Sequence, residues 1–513
     1  MRSLRILLFV FLGSIIVSCG NQPLPGIIST EGGKVEGTVE NGIMAFKGIP
    51  FAAPPVGDLR WRPPQPAQPW EGVKKADKFA PGSIQNQKLE QSEDCLYLNI
   101  WTTAKSKKDK LPVMVWIHGG GFAAGAPLES TYFGQELTHK GVIFVSIAYR
   151  LGVLGFLAHP ELSAESPNGV SGNYGLLDMI AALKWVRNNI TAFGGDPDKV
   201  TIFGESAGAI AISMLCASPL AEGLFCGAIS QSGGSFGPVG NTRQDGIISL
   251  KGAENAGVEF MKQFGADSIA EFRKMDPQEW FKSPMTRMGF WPNADGYVIP
   301  DDQYKLYEAG KYNDVNVLIG TNSDEGVMFA RPIEPEDYKK GIEQRFGDFA
   351  GKILEAFPGD TKEQAQTSTA DIFTTTAFAW PTWAWARLQS RTGNSKVYLY
   401  YFSQQQPEMP FLPIKPRGAQ HAAEIKYVLK NYDPAKFSDE DVKLSEIMAT
   451  YWTNFAKYGD PNGKDLPAWP EFTEENPSLM ILKYPPQQGP VPNLDKLELM
   501  EEYFKYRRNQ NNQ

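Results

Sequence analysis

Histidine is scarce in this chain, with only His118, His139, His159 and His421 among 513 residues. A zinc site built on several histidines is therefore disfavoured, and any reaction that needs an imidazole base has few positions to draw on. Cysteine is equally sparse, at Cys19, Cys95, Cys216 and Cys226, which excludes a disulfide-dense scaffold. Positive charge is in deficit: 50 Lys and Arg stand against 58 Asp and Glu, a formal net charge of -8. No Lys/Arg block rises above that background, so a nucleic-acid partner is not expected. Long apolar runs are missing too, and the stretch Ile6 to Val17 is too short to cross a bilayer as a helix.

That stretch follows Arg2 and Arg5, the layout of an export signal. Ile16-Val17-Ser18-Cys19 resembles a bacterial lipobox, so residues 1–18 are expected to be removed and Cys19 lipidated. Residues 19–28 then read as a tether. The expected location is the cell envelope, periplasmic or at the cell surface, with the lipid as the only membrane contact; a plain secretory signal would release the protein instead. Cys216 sits in an apolar helical pattern and Cys226 in an apolar strand pattern. Both are expected as buried free thiols, a bond between them being the alternative.

What the chain does have is a strand–turn–helix pattern at 199–217, KVTIFGESAGAIAISMLCA. Val200 to Phe203 is apolar and β-branched, Gly204-Glu205-Ser206-Ala207-Gly208 follows, and an Ala/Ile/Leu-rich helix pattern comes next. Such a turn strains the middle serine and projects its hydroxyl outward, with free helix N–H groups beside it. The pattern G-x-S-x-G recurs at Gly233 to Gly237, but Pro238, Gly240 and Asn241 come next. No helix is expected there, so Ser206, not Ser235, is the nucleophile candidate.

Further buried-strand patterns lie at 96–101, 111–117, 142–149, 224–230, 315–320 and 396–402. Amphipathic helices are expected over 174–192 and over 438–457, the latter with Leu444, Ile447, Met448, Tyr451, Trp452 and Phe455 on one stripe. Alternation of strand and helix predicts one α/β unit over 29–506, a large, mostly parallel sheet with helices on both faces, and a disordered polar tail at 507–513.

A serine hydroxyl needs a base and a carboxylate that orients the base. His118 adjoins Gly119-Gly120-Gly121, where its backbone is expected to matter more than its ring, and His139 and His159 read as solvated loop residues. His421, in a small-residue loop, remains as the base. The carboxylate is Asp324 or Glu325, adjacent residues after the 315–320 strand, in the chain order Ser, acid, His. Physics alone does not separate the two. The glycine triplet and Ala207 offer backbone N–H groups for an oxyanion.

The motifs GIPFAAPPVGDLRW (48–61), EDCLYLNIW (93–101), VWIHGGGF (115–122), YRLGVLGFL (149–157), GNYGLLD (172–178), VTIFGESAGA (200–209), GTNSDEG (320–326) and GAQHAAEIKYV (418–428) together resemble the type-B carboxylesterases, a family that includes cholinesterases and bacterial para-nitrobenzyl esterases. The resemblance implies the α/β-hydrolase fold with Ser206 as nucleophile, Glu325 as acid, His421 as base, and Gly120, Gly121 and Ala207 as the oxyanion hole. It also implies Ser232 as a partner of the acid, buried ion pairs Arg60–Glu93 and Arg150–Asp178, and an unpaired Cys95, because the upstream cysteine of the family is missing. Glu205 either adds negative potential or is solvated. No metal and no cofactor is implied. The expected activity is hydrolysis of small-molecule esters through an acyl-enzyme, in a pocket for which Phe122, Trp291, Phe378 and Trp380 are the lining candidates. It should fall as His421 gains a proton, at about pH 6 to 7. The alternatives are a non-catalytic adhesion or binding module and amide hydrolysis by the same residues.

Overall fold

Alternate residues of the 111–117 run enter two different cores. Val113, Val115 and Ile117 pack into one buried cluster, Met114 and Trp116 into another. A strand covered on both faces needs apolar side chains at every position, which is why the run is continuous. The same division holds at 200–203, where Val200 and Ile202 join the first core and Phe203 the second. The structure is a computed structural model that describes Leu24 and residues 26–243, 246–287, 289–405 and 414–511.

An 11-stranded sheet runs through the molecule. In chain order its strands are Thr38–Glu40 (β1), Ile43–Pro50 (β2), Tyr97–Thr102 (β3), Leu111–Ile117 (β4), Ile143–Ile147 (β5), Gly195–Glu205 (β6), Gly227–Gln231 (β7), Asn316–Asn322 (β8), Val397–Phe402 (β9), Ser478–Leu482 (β10) and Gln487–Pro490 (β11). Across the sheet they lie in the order β11-β10-β9-β8-β7-β6-β4-β5-β3-β2-β1. Neighbours from β10 to β5 are parallel, and the pairs outside that run are antiparallel. The chain reverses its direction of winding at β4, which sits between β5 and β6; in open α/β sheets ligands bind beyond the carboxyl ends of the strands at such a switch point.

Helices cover both faces. Tyr174–Asn189 (α1), Ala207–Ala217 (α2), Trp380–Thr392 (α3) and Leu494–Asn511 (α5) contribute to the first core, and Asp439–Tyr458 (α4) to the second. α4 starts at a capping box of Ser438 and Asp441 and buries Leu444, Met448, Tyr451, Trp452 and Phe455, while Ile447 is only partly buried. The mostly parallel sheet expected from the pattern, and the α/β-hydrolase architecture that the family resemblance implied, are observed.

Arg150 and Asp178 form a buried bidentate pair at 2.7 and 2.8 Å, and Arg60 is held by Glu93 at 2.6 Å. Cys95 is buried and free, as is Cys216. Cys226 is free but exposed, because β7 begins at Gly227, three residues later than the 224–230 apolar pattern suggested, and leaves Cys226 outside the strand. Two boundaries differ from expectation. Residues 27–28, assigned to the tether, belong to a strand, Ile27–Thr30, with Ile28 buried. The polar tail from 507 is helical through Asn511, because Arg508 is buried against Asp302 at 2.8 Å and stacks over Tyr304. Polarity there marks an ion pair, not solvation. Cys19 and residues 1–18, read from the sequence as an export signal, lie outside the described residues.

Candidate active site

β6 ends at Glu205 and α2 begins at Ala207, leaving Ser206 alone between them. Its φ of 55° and ψ of -122° fall where an L-residue is strained, at a cost on the order of 1–3 kcal/mol. The turn is held by the Ser206 N–H, which donates to Gln231 O at the end of β7 over 2.9 Å. Its tightness depends on two glycines: a Cβ at Gly204 would lie 2.3 Å from Ile117 O, and one at Gly208 2.1 Å from the same oxygen. Both Gly-x-Ser glycines thus let strand and helix close on the end of β4. Ser206 is partly exposed between buried neighbours. The second serine motif behaves as expected. Residues 233–236 are irregular, and Ser235 N–H donates to Ser213 Oγ.

Glu325 follows β8 and is fully buried. Its Oε1 accepts from Ser232 Oγ at 2.5 Å and from Asn322 N–H at 2.7 Å, and its Oε2 lies 2.6 Å from His421 Nδ1. Asp324 faces the other way, taking the Arg417 backbone N–H at 2.5 Å and its guanidinium at 3.1 Å. Of the two adjacent carboxylates, Glu325 is the one that reaches the imidazole. Ser232 carries a positive φ of 58°, a second strained serine at a strand end.

The other imidazole nitrogen, His421 Nε2, lies 3.1 Å from Glu205 Oε1. That approach is not aligned as a hydrogen bond, and Glu205 Oε1 has no donor. Glu205 is therefore buried beside the site and not solvated. Burial pushes its carboxyl up to about 8 against the pull of His421. Burial lowers the His421 pKa, but the carboxylates of Glu205 and Glu325 outweigh it and hold the ring up at about 9. The titration expected near pH 6 to 7 is thus displaced upward by the buried carboxylates around the ring, whose convergence on one histidine the sequence did not reveal. A third, Glu424, accepts from Gln231 Nε2 and from Asn322 Nδ2.

Gly120, Gly121 and Phe122 have φ values of 103°, 64° and 57°, a left-handed run beyond the end of β4. Gly119 packs on the serine turn, where its Cβ would meet Ser206 Cβ at 3.1 Å. Phe122 meets Trp291 edge-on at 5.0 Å, and Phe378 stacks on His421 at 4.7 Å. Trp380 is not part of this wall. It is fully buried, packs tilted against Phe504 with ring centroids 4.1 Å apart and donates from Nε1 to Glu501 in α5. Phe378 and Trp380 are two residues apart in a continuous helical run, Thr375–Ala379 leading directly into α3, and positions two apart on a helix point to different sides.

Reasoning from the sequence missed Phe329, whose ring stands 5.1 Å from His421 and stacks on Phe373. It also missed Asn322, which joins the acid and base loops through Glu325 on its backbone and through Gln420 O and Glu424 on its amide. Phe329 lies four residues after Glu325, a spacing that could have raised it. Asn322 and Glu424 lie inside the 320–326 and 418–428 motifs, but nothing local there shows that the two residues meet. The ring of His118, set aside in favour of its backbone, is buried with Nδ1 2.9 Å from Gly119 O. His159 is likewise buried, capping the helix Pro160–Glu165.

Comparison with known proteins places this geometry in context. The model of the carboxylesterase family matches residues 25–500. The chain is 40% identical over 484 residues to the fumonisin B1 esterase of Sphingopyxis macrogoltabida, covering 86% of this chain and 84% of that protein. It is 36% identical over 486 residues to the para-nitrobenzyl esterase of Bacillus subtilis (strain 168), covering 89% and 94%. A solved PNB esterase structure superposes with a TM-score of 0.80 at 35% identity, covering 94% of this chain and 100% of that one.

Proposed function

The chain belongs to the carboxylesterase family and is a serine-type carboxylic ester hydrolase, and on that premise we propose that Ser206 is the nucleophile, His421 its base and Glu325 the carboxylate that orients the base. What carries this assignment is the 2.6 Å approach of Glu325 Oε2 to His421 Nδ1, with Ser206 strained at the adjoining strand end. In the reaction His421 Nε2 takes the Ser206 proton as Oγ attacks the ester carbonyl. The oxyanion is met by the N–H groups of Gly120, Gly121 and Ala207. The imidazolium returns the proton to the departing alcohol, and water repeats the sequence to free the acid. Glu205 and Glu325 stabilise the imidazolium in both halves.

The substrates are apolar or aromatic esters held between Phe122 with Trp291 and Phe378 with Phe329. An aromatic ester agrees with a relative named para-nitrobenzyl esterase. A fluorophosphonate probe followed by peptide mass mapping tests the nucleophile: the label is expected on Ser206 and lost in Ser206→Ala. Label on Ser235, or full turnover of Ser206→Ala, would remove the assignment. The protein is further proposed to be exported and anchored through a lipid on Cys19. Cys19→Ala should abolish metabolic labelling by a fatty-acid analogue, and persistent labelling would count against the anchor.

A further inference from the structure

We propose that the His118 ring is a positioning residue for the oxyanion site: Nδ1 donates to Gly119 O and so fixes the peptide plane whose N–H belongs to Gly120. The inference rests on the reading of Gly120 as an oxyanion donor. Its physical basis is the planarity of one peptide. The Gly119–Gly120 bond is trans, the only cis peptide among the described residues being Tyr484–Pro485. In a trans unit the C=O and N–H point in opposite directions, so whatever pins one aims the other. Gly119 O lies 2.9 Å from His118 Nδ1, and a carbonyl only accepts, so Nδ1 carries the hydrogen. Gly119 and Gly120 have no side chains to hold this plane, and with φ of 103° Gly120 lies where glycine is conformationally free. The ring provides the restraint that the glycines lack.

The ring is itself immobilised. It stacks on Tyr149 at 4.5 Å with an 18° tilt and lies near-parallel to Tyr132 at 6.0 Å, while Tyr149 OH donates to His118 O. Room for the bond depends on Gly125, where a Cβ would stand 2.4 Å from Nδ1 and 2.6 Å from Gly119 O. Gly125 is held in turn by Gln85, whose amide accepts from its N–H and donates to its C=O. Burial pushes the ring pKa down to about 4, so it is neutral and its single proton sits on Nδ1.

The test compares His118→Phe, which keeps a stacking ring but has no donor, with His118→Asn, whose amide nitrogen can take the Nδ1 position. His118→Phe should lower kcat on the order of tenfold to a hundredfold, below the full loss of one oxyanion donor. KM should stay within about twofold, since the restraint acts on the transition state. Affinity for a trifluoromethyl ketone, which forms a tetrahedral adduct, should fall by the same factor as kcat, and His118→Asn should recover most of both. Wild-type kcat in folded His118→Phe would overturn the proposal. So would equal losses in both variants with unchanged ketone affinity, because the ring would then serve packing alone. Ser206→Ala in the same assay separates the two claims: if it retains turnover the site itself is wrong, whereas an inactive Ser206→Ala beside a fully active His118→Phe overturns only the role of the ring.

Discussion

Replacing Glu205 with glutamine should move the acidic limb of the pH–rate profile downward. The carboxylate sits 3.1 Å from His421 Nε2. Two unit charges at that distance attract by about 5 kcal/mol at an effective dielectric of about 20, equivalent to roughly four pKa units. The realised shift is smaller, roughly one to three units, because burial pushes Glu205 up to about 8 and the group is partly protonated through the range of interest. The sign follows from which form the neighbour favours. A carboxylate favours the imidazolium, which cannot act as a base, so its removal lets neutral imidazole persist to lower pH. From the starting point of about 9 for His421, the limb in Glu205→Gln should fall by roughly one to three units. The assay is kcat/KM on a neutral ester by pH-stat titration, with circular dichroism confirming that both proteins stay folded. A limb that stays in place or moves upward would refute the electrostatic account and return Glu205 to a packing role.

Glu325→Gln should lower kcat on the order of a thousandfold or more, whereas Asp324→Asn, which touches only the Arg417 loop, should leave kcat within about tenfold; steady-state kinetics showing the reverse order would move the acid by one residue. Asp178→Ala should destabilise the fold by about 3–5 kcal/mol by stranding the buried Arg150 guanidinium, read by urea unfolding. By contrast, Glu259→Ala, which breaks the exposed pair with Lys262, should change stability by no more than about 1 kcal/mol. Phe378→Leu should raise KM for aromatic esters without a matching loss of stability. Trp380→Leu should lower the unfolding midpoint and leave KM near wild type, in keeping with its contacts to α5.

Much of this protein was written in local sequence, where the governing physics is local. Continuous apolar runs that ended in glycine or serine marked strands covered on both faces and emptying toward one rim, and Gly204 and Gly208 marked a turn no larger residue could close. With only four histidines in the chain, elimination left His421 as the candidate base. Other features depended on residues far apart in the chain. Asp324 and Glu325 are chemically alike neighbours, and only the arrival of Arg417 on one side and His421 on the other distinguishes them. Phe378 and Trp380 looked equally fit to line a pocket, and only packing put the first against His421 and the second against α5. Arg508 reads as part of a soluble tail until Asp302 is brought against it. Burial, and with it the proton affinities of Glu205 and His421, is a property of the packed assembly, because desolvation and Coulomb energy are set by distances that sequence order does not encode.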